Sequence, residues 1–190
     1  MARSPESLVR KFGTRNPFDI ASGLEIQHHF VYHPESGLPG LTCFACNRPS
    51  IFINMSYFDL LQKKDPKYTD EMVEYDVLQV GAHELGHALY HRKQLKLAPI
   101  MEYEIFDVRT PMEVEANTFA AGIRIDTKEM LEYFNSELDI FLVAQAMHVN
   151  INLLIYKVDQ LRRAGYKLNN VPISPRSNFM GGIHGPGDWK

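Results

Sequence analysis

The sequence predicts an α+β chain: a small antiparallel sheet packed on one long helix that carries a metal-binding motif, then a helical C-terminal part. Three observations predict it. Residues 25–55 alternate apolar and polar positions in short runs broken by turn residues. Residues 70–90 carry apolar side chains at helical spacing around His83-Glu84-Leu85-Gly86-His87. From residue 110 onward, capping motifs recur, each followed by a run of helical length.

Residues 5–12 read as a short amphipathic helix. From Glu25 to Tyr32, the residues Ile26, His28, Phe30 and Tyr32 fall on every second position and predict a strand. Alternation puts His28 and His29 on opposite faces, so they and His33 read as packing or surface histidines. Leu41–Ala45 and Ile51–Met55 predict two further strands around a turn at Asn47–Ser50. Such a sheet is a candidate wall for a cleft in which an extended peptide pairs with an edge strand. Cys43 and Cys46 form a lone C-x-x-C with no second pair to complete a zinc site, and read as two reduced cysteines near the hairpin. Lys63–Lys67 reads as a solvated loop, and residues 92–109 as a connection without a firm element.

The long helix is set by Asp70 and Glu71 at its start and by Val73, Val77, Val80 and Leu85 on one face. Residues four apart share a helix face, so the imidazoles of His83 and His87 can reach one ion. Zinc in catalytic sites takes three protein ligands and leaves one position open. Glu84, next to the first histidine, can flank the metal and take a proton from the attacking water. His91 continues the series but lies roughly 12 Å along the axis from His83, too far for the same ion. It reads as a surrounding or surface group. Tyr90 and Lys93 stand where an extended motif would have glycine and a third histidine.

A second helix is predicted over 111–122, opened by the capping box Thr110-Pro111-Met112-Glu113. Its small residues permit close approach to another helix. Glu113 has a local role in the cap, whereas Glu115, about one turn in, has none. Glu115 is therefore the expected third ligand and Glu113 the second candidate.

These residues together, His83–His87 followed by Glu115-Ala116-Asn117 and Phe119-Ala120, resemble the ImmA/IrrE family of zinc metallopeptidases. Gly37–Gly40, Ile51–Asn54 and residues 127–168 resemble that family's flanking parts, and roughly residues 5–168 are covered. The resemblance implies a zincin-like fold. It also implies a Zn²⁺ endopeptidase whose substrate is a helix-turn-helix transcriptional repressor of a phage or mobile element. The alternative is a metal-containing regulatory module that sequesters its partner without hydrolysis, for which Glu84 would have no use. Tyr90, His91 and Tyr103 are candidates for an electrophilic helper. Where the family continues with a leucine-rich stretch ending in proline, this chain has Gly122-Ile123-Arg124-Ile125-Asp126, which alters the cleft wall.

Length and charge bound the rest. The 190 residues suit a single domain, expected over 1–170 with the sheet and zinc helix at 20–92. A net charge of −3 gives no general attraction to nucleic acid or anionic membranes. The absence of an apolar leader or a long apolar run sets the expectation of a cytoplasmic protein.

Asp126-Thr127-Lys128-Glu129 caps the first of three helices expected at about 127–134, 137–147 and 151–164, with Gly165 as the stop. Residues 142–161 have the look of a helix-turn-helix, with Arg162, Arg163 and Lys167 adding positive charge. Because the recognition positions are mainly apolar, they read as a helical hairpin that completes the core or touches a partner. Residues 171–190, with four glycines and three prolines, read as a flexible tail.

Overall fold

In the computed structural model, which describes residues 4–101, 110–136 and 138–168, the 21-residue helix α4 (Asp70–Tyr90) is the element on which the others are assembled. Thr69 caps it by accepting from the Met72 amide, and Asp70 and Glu71 complement the positive end of the helix dipole. Its second half is buried almost continuously from Gln79 to Ala88. Ahead of it come α1 (Pro5–Phe12), α2 (Pro17–Gly23), β1 (Gln27–Val31), β2 (Gly40–Ala45), β3 (Arg48–Asn54) and α3 (Met55–Lys64). After it come α5 (Arg92–Leu95), β4 (Ile100–Met101), α6 (Pro111–Arg124), α7 (Thr127–Asn135), α8 (Ile140–Ala146) and α9 (Ile151–Arg163). Helix α4 packs on β2 and β3 and on α2, and most extensively on α6.

The α+β class holds, but the sheet is mixed rather than antiparallel. Its order is β1-β3-β2-β4. Strands β2 and β3 form the expected hairpin, with Leu41 opposite Phe52, while β1 runs parallel to β3, with His29 opposite Phe52. The reason lies in the link after β1. It crosses to the far side of β3, and one buried side chain pins the crossing. Asn54 accepts from the His33 amide at 3.0 Å and donates to the carbonyls of His33, Ser36 and Leu38 at 3.1–3.2 Å. The hairpin turn sits at Cys46 and Asn47, not Asn47–Ser50. Both residues have positive φ (48° and 65°), the geometry that matches the twist of the flanking strands. The cysteines are not joined by a disulfide, and burial pushes the Cys43 thiol up. His28 packs against Phe18, and His29 stacks on Phe52.

Three helices, α2, α3 and α5, lie where the sequence predicts none. Asn16 and Pro17 start α2, and Met55 opens α3 rather than ending a strand. Beyond α6 the caps act as expected, with Asp126 accepting from the amides of Lys128 and Glu129. Helices α8 and α9 bend by 111°, but every residue of α9 from Ile151 to Val158 is buried. That helix completes the core and has no outward face there to enter a DNA groove. Among the described residues no single helix is long and apolar enough to cross a membrane. The tail at 171–190 and Tyr103 lie outside the described residues.

Near the start of α4, Tyr68 donates to Asp76 at 2.5 Å and Gln79 donates to it at 3.1 Å. Burial raises the Asp76 carboxyl to about 6, against the opposing hydrogen bond from Tyr68. A carboxyl raised in the fold stabilises it below the unfolded value, and that contribution is lost as pH rises through about 6. Asp76 should therefore cost up to about 3 kcal/mol of stability between pH 4 and pH 8. Asp76→Asn should flatten this part of the pH dependence in thermal melts, whatever its absolute stability. An unchanged slope would rule Asp76 out as its source.

Candidate metal centre

The site forms where α4 meets α6 on one side and β2 on another. His83 and His87 are buried, with their Nε2 atoms 2.9 Å apart. Glu113 of α6 brings Oε2 to 3.2 Å from the first and 3.4 Å from the second. These three residues are the group among those described whose ligand atoms gather closely enough to hold a metal ion.

Hydrogen bonds on the outer sides of the rings set where the protons lie. Asn117 donates its amide N–H to the Tyr156 hydroxyl at 3.3 Å, which turns its carbonyl oxygen to His83 Nδ1 at 2.7 Å. His83 therefore carries its proton on Nδ1 and presents a lone pair at Nε2. On the other side, Glu115 accepts from His91 Nε2 at 3.1 Å. His91 Nδ1 is then the acceptor for His87 Nδ1–H at 2.9 Å, which leaves His87 Nε2 as a lone pair too. Burial holds the His87 ring down at about 4, with His83 and His91 adding to the effect and Glu113 opposing it, so it is neutral near pH 7. Two nitrogen lone pairs and a carboxylate oxygen thus converge on one point, an arrangement that a cation stabilises. Donors about 2.0–2.1 Å from a tetrahedral zinc stand about 3.3 Å from each other, close to the triangle present here.

The geometry brings Glu113, not the expected Glu115, to the histidine pair. The Glu115 side chain is 63% exposed and lies against His91, outside the converging group. Residues two apart on a helix do not share a face, so α6 can aim Glu113 or Glu115 at the histidine pair, not both. The capping argument against Glu113 fails because the cap uses its backbone. Thr110 Oγ1 accepts from the Glu113 amide at 3.3 Å, while the carboxylate reaches the histidines. Asn117 and Tyr156 were given no role from sequence. The only signal for Asn117 is an amide among the small residues of a helix that must bury one face.

Glu84 is buried and faces β2. Thr42 Oγ1 hydrogen-bonds to its Oε2 and lies 3.1 Å from its backbone carbonyl. A Cβ at residue 40 would stand 2.7 Å from Glu84 Oε1, so only glycine leaves the carboxylate its place. Of the proposed helpers, Tyr90 packs its ring edge-on to Phe119 of α6, and His91 is engaged by His87 and Glu115.

Compared with known proteins, residues 74–159 match the peptidase family model described as the IrrE N-terminal-like domain. No curated protein and no solved structure gives a significant match. The matched segment spans most of α4 and all of α6, and with them every residue of the converging group.

The α4–α6 approach rests on Gly86. A Cβ there would stand 3.0 Å from Ala116 Cα and 3.2 Å from its carbonyl oxygen, backbone atoms that cannot turn aside. Gly86→Ala should lower stability by about 1–3 kcal/mol. It should also weaken divalent-metal binding, since Glu113 rides on α6. Gly37→Ala, where nothing lies within 4 Å, should change neither. Thermal melts with and without added zinc measure both effects. Equal metal affinity in the Gly86 variant would show that α6 can shift without moving the ligand.

Proposed function

We propose that this chain, whose residues 74–159 match the IrrE N-terminal-like peptidase model, is a zinc-dependent endopeptidase with His83, His87 and Glu113 as its metal ligands. The observation that carries the reading is the convergence of two imidazole nitrogens and one carboxylate oxygen at 2.9–3.4 Å, with Glu84 beside the first histidine. Zinc bound there would supply Lewis acidity at the scissile carbonyl. Glu84 takes a proton from the attacking water and returns it to the departing amine. Thr42 and Gly40 fix the carboxylate for that transfer, the first by a hydrogen bond and the second by leaving room. Asn117 keeps the His83 proton on Nδ1, so that Nε2 stays available as a donor.

The substrate class follows the family resemblance: a helix-turn-helix transcriptional repressor, cut at a defined site. Such a substrate sets the reaction in the cytoplasm. The burial of α9 supports a reading in which recognition is of protein rather than of DNA.

Zinc content and repressor cleavage, measured side by side, test this. Glu84→Gln should keep one zinc per chain and lose cleavage by at least about 100-fold. Thr42→Val should retain zinc and lower kcat by about tenfold, because the base loses its anchor. Glu113→Ala should lose tight zinc binding altogether. Cleavage by the Glu84 variant at the wild-type rate would remove that residue from the mechanism. Zinc in every chain with cleavage by none would turn the reading toward a sequestering module.

A further inference from the structure

The two histidines of the metal group are backed differently. His83 leans on a neutral amide, Asn117. His87 leans on a second histidine, which itself ends on a carboxylate. His91 is buried and lies one turn after His87, with its amide bonded to the His87 carbonyl at 2.9 Å. Its ring is thereby set beside the His87 ring, with centroids 4.9 Å apart. Glu115 reaches it from α6, and its carboxylate is the one member of the chain open to solvent.

We propose that Glu115, His91 and His87 form a positioning relay that sets the metal affinity of the centre from the protein surface. The inference rests on the metal reading above. The anionic Glu115 polarises His91 Nε2–H, which enriches the lone pair at Nδ1. That lone pair in turn polarises His87 Nδ1–H and strengthens the donor at His87 Nε2. The relay also selects the His87 tautomer: with Nδ1 protonated, Nε2 can only be the ligating atom. A buried imidazole in place of the usual carboxylate or carbonyl partner carries the effect of charge outward to the helix surface. There, anything that covers Glu115 acts on the metal centre without reaching the ligand atoms.

The test is a zinc titration against a competing chelator on the full chain, with cobalt absorption as the second readout. His91→Phe should weaken zinc by about 10–100-fold. His91→Gln should recover most of that loss, since its amide oxygen accepts from His87 and its N–H donates to Glu115. Glu115→Gln, at an exposed position where folding is not at risk, should weaken zinc several-fold and shift the cobalt spectrum. The double variant His91→Phe/Glu115→Gln should be no weaker than His91→Phe alone, because the relay is already cut. Wild-type affinity and spectrum in Glu115→Gln, or losses that simply add, would overturn the relay while leaving the metal centre standing. No zinc binding by wild type would overturn both.

Discussion

The close packing of α4 on α6 at Gly86 and Ala116 is the constraint on which the rest of the site depends. Three polar residues of α6 meet the histidine row of α4, and each has a different task. Glu113 faces the Nε2 atoms of His83 and His87, Glu115 faces His91, and Asn117 faces the back of His83. One helix-to-helix distance therefore sets the carboxylate at the histidine pair and both outer hydrogen-bond partners at once. A methyl group at residue 86 would press on main-chain atoms, so the distance is fixed by the backbones and not by adjustable side chains.

Burial gives this packing its chemical effect. His83, Glu84, His87, His91 and Asn117 are all almost fully enclosed. Each would cost several kcal/mol if desolvated without partners. They offset one another instead, through bonds that run from Tyr156 to His83 on one side and from Glu115 to His87 on the other. That burial holds the His87 imidazole neutral near pH 7. The same low polarity that makes an unpaired group costly also strengthens each paired one, so the network is well ordered or it fails.

How far this was legible in the sequence depends on the range of the interaction concerned. The histidine pair and Glu84 could be read because their relation is internal to one helix, where spacing alone settles the face. The caps at Thr110 and Asp126 were legible for the same reason. The choice between Glu113 and Glu115 was not. Both occupy good positions on α6, and only the direction from which α4 approaches decides which carboxylate meets the pair. The order of the strands was hidden likewise. Alternation located β1 and the hairpin, but the crossing that makes β1 parallel to β3 depends on Asn54 gathering three carbonyls from residues 33–38. An asparagine at the end of a strand carries no sign of that task. His91 lies outside the converging group, as the rise of the helix predicts, yet its partner on α6 could not be read from α4.

The arrangement also divides labour between two sides of one helix. On the α6 side, Glu113, Asn117 and the His91–Glu115 pair contact the ring nitrogens of His83 and His87. On the β2 side, Gly40 and Thr42 attend to Glu84, the proton carrier of the proposed mechanism. These groups share no side chain, so their effects are separable in principle. Under the proposed function, changes in α6 would act on metal affinity, and changes in β2 on proton transfer with the metal in place. The hairpin turn at Cys46–Asn47 belongs to the second group although it lies far along the strand. A turn of left-handed residues sets the register of β2 on β3, and a slip of one residue would turn Thr42 away from Glu84.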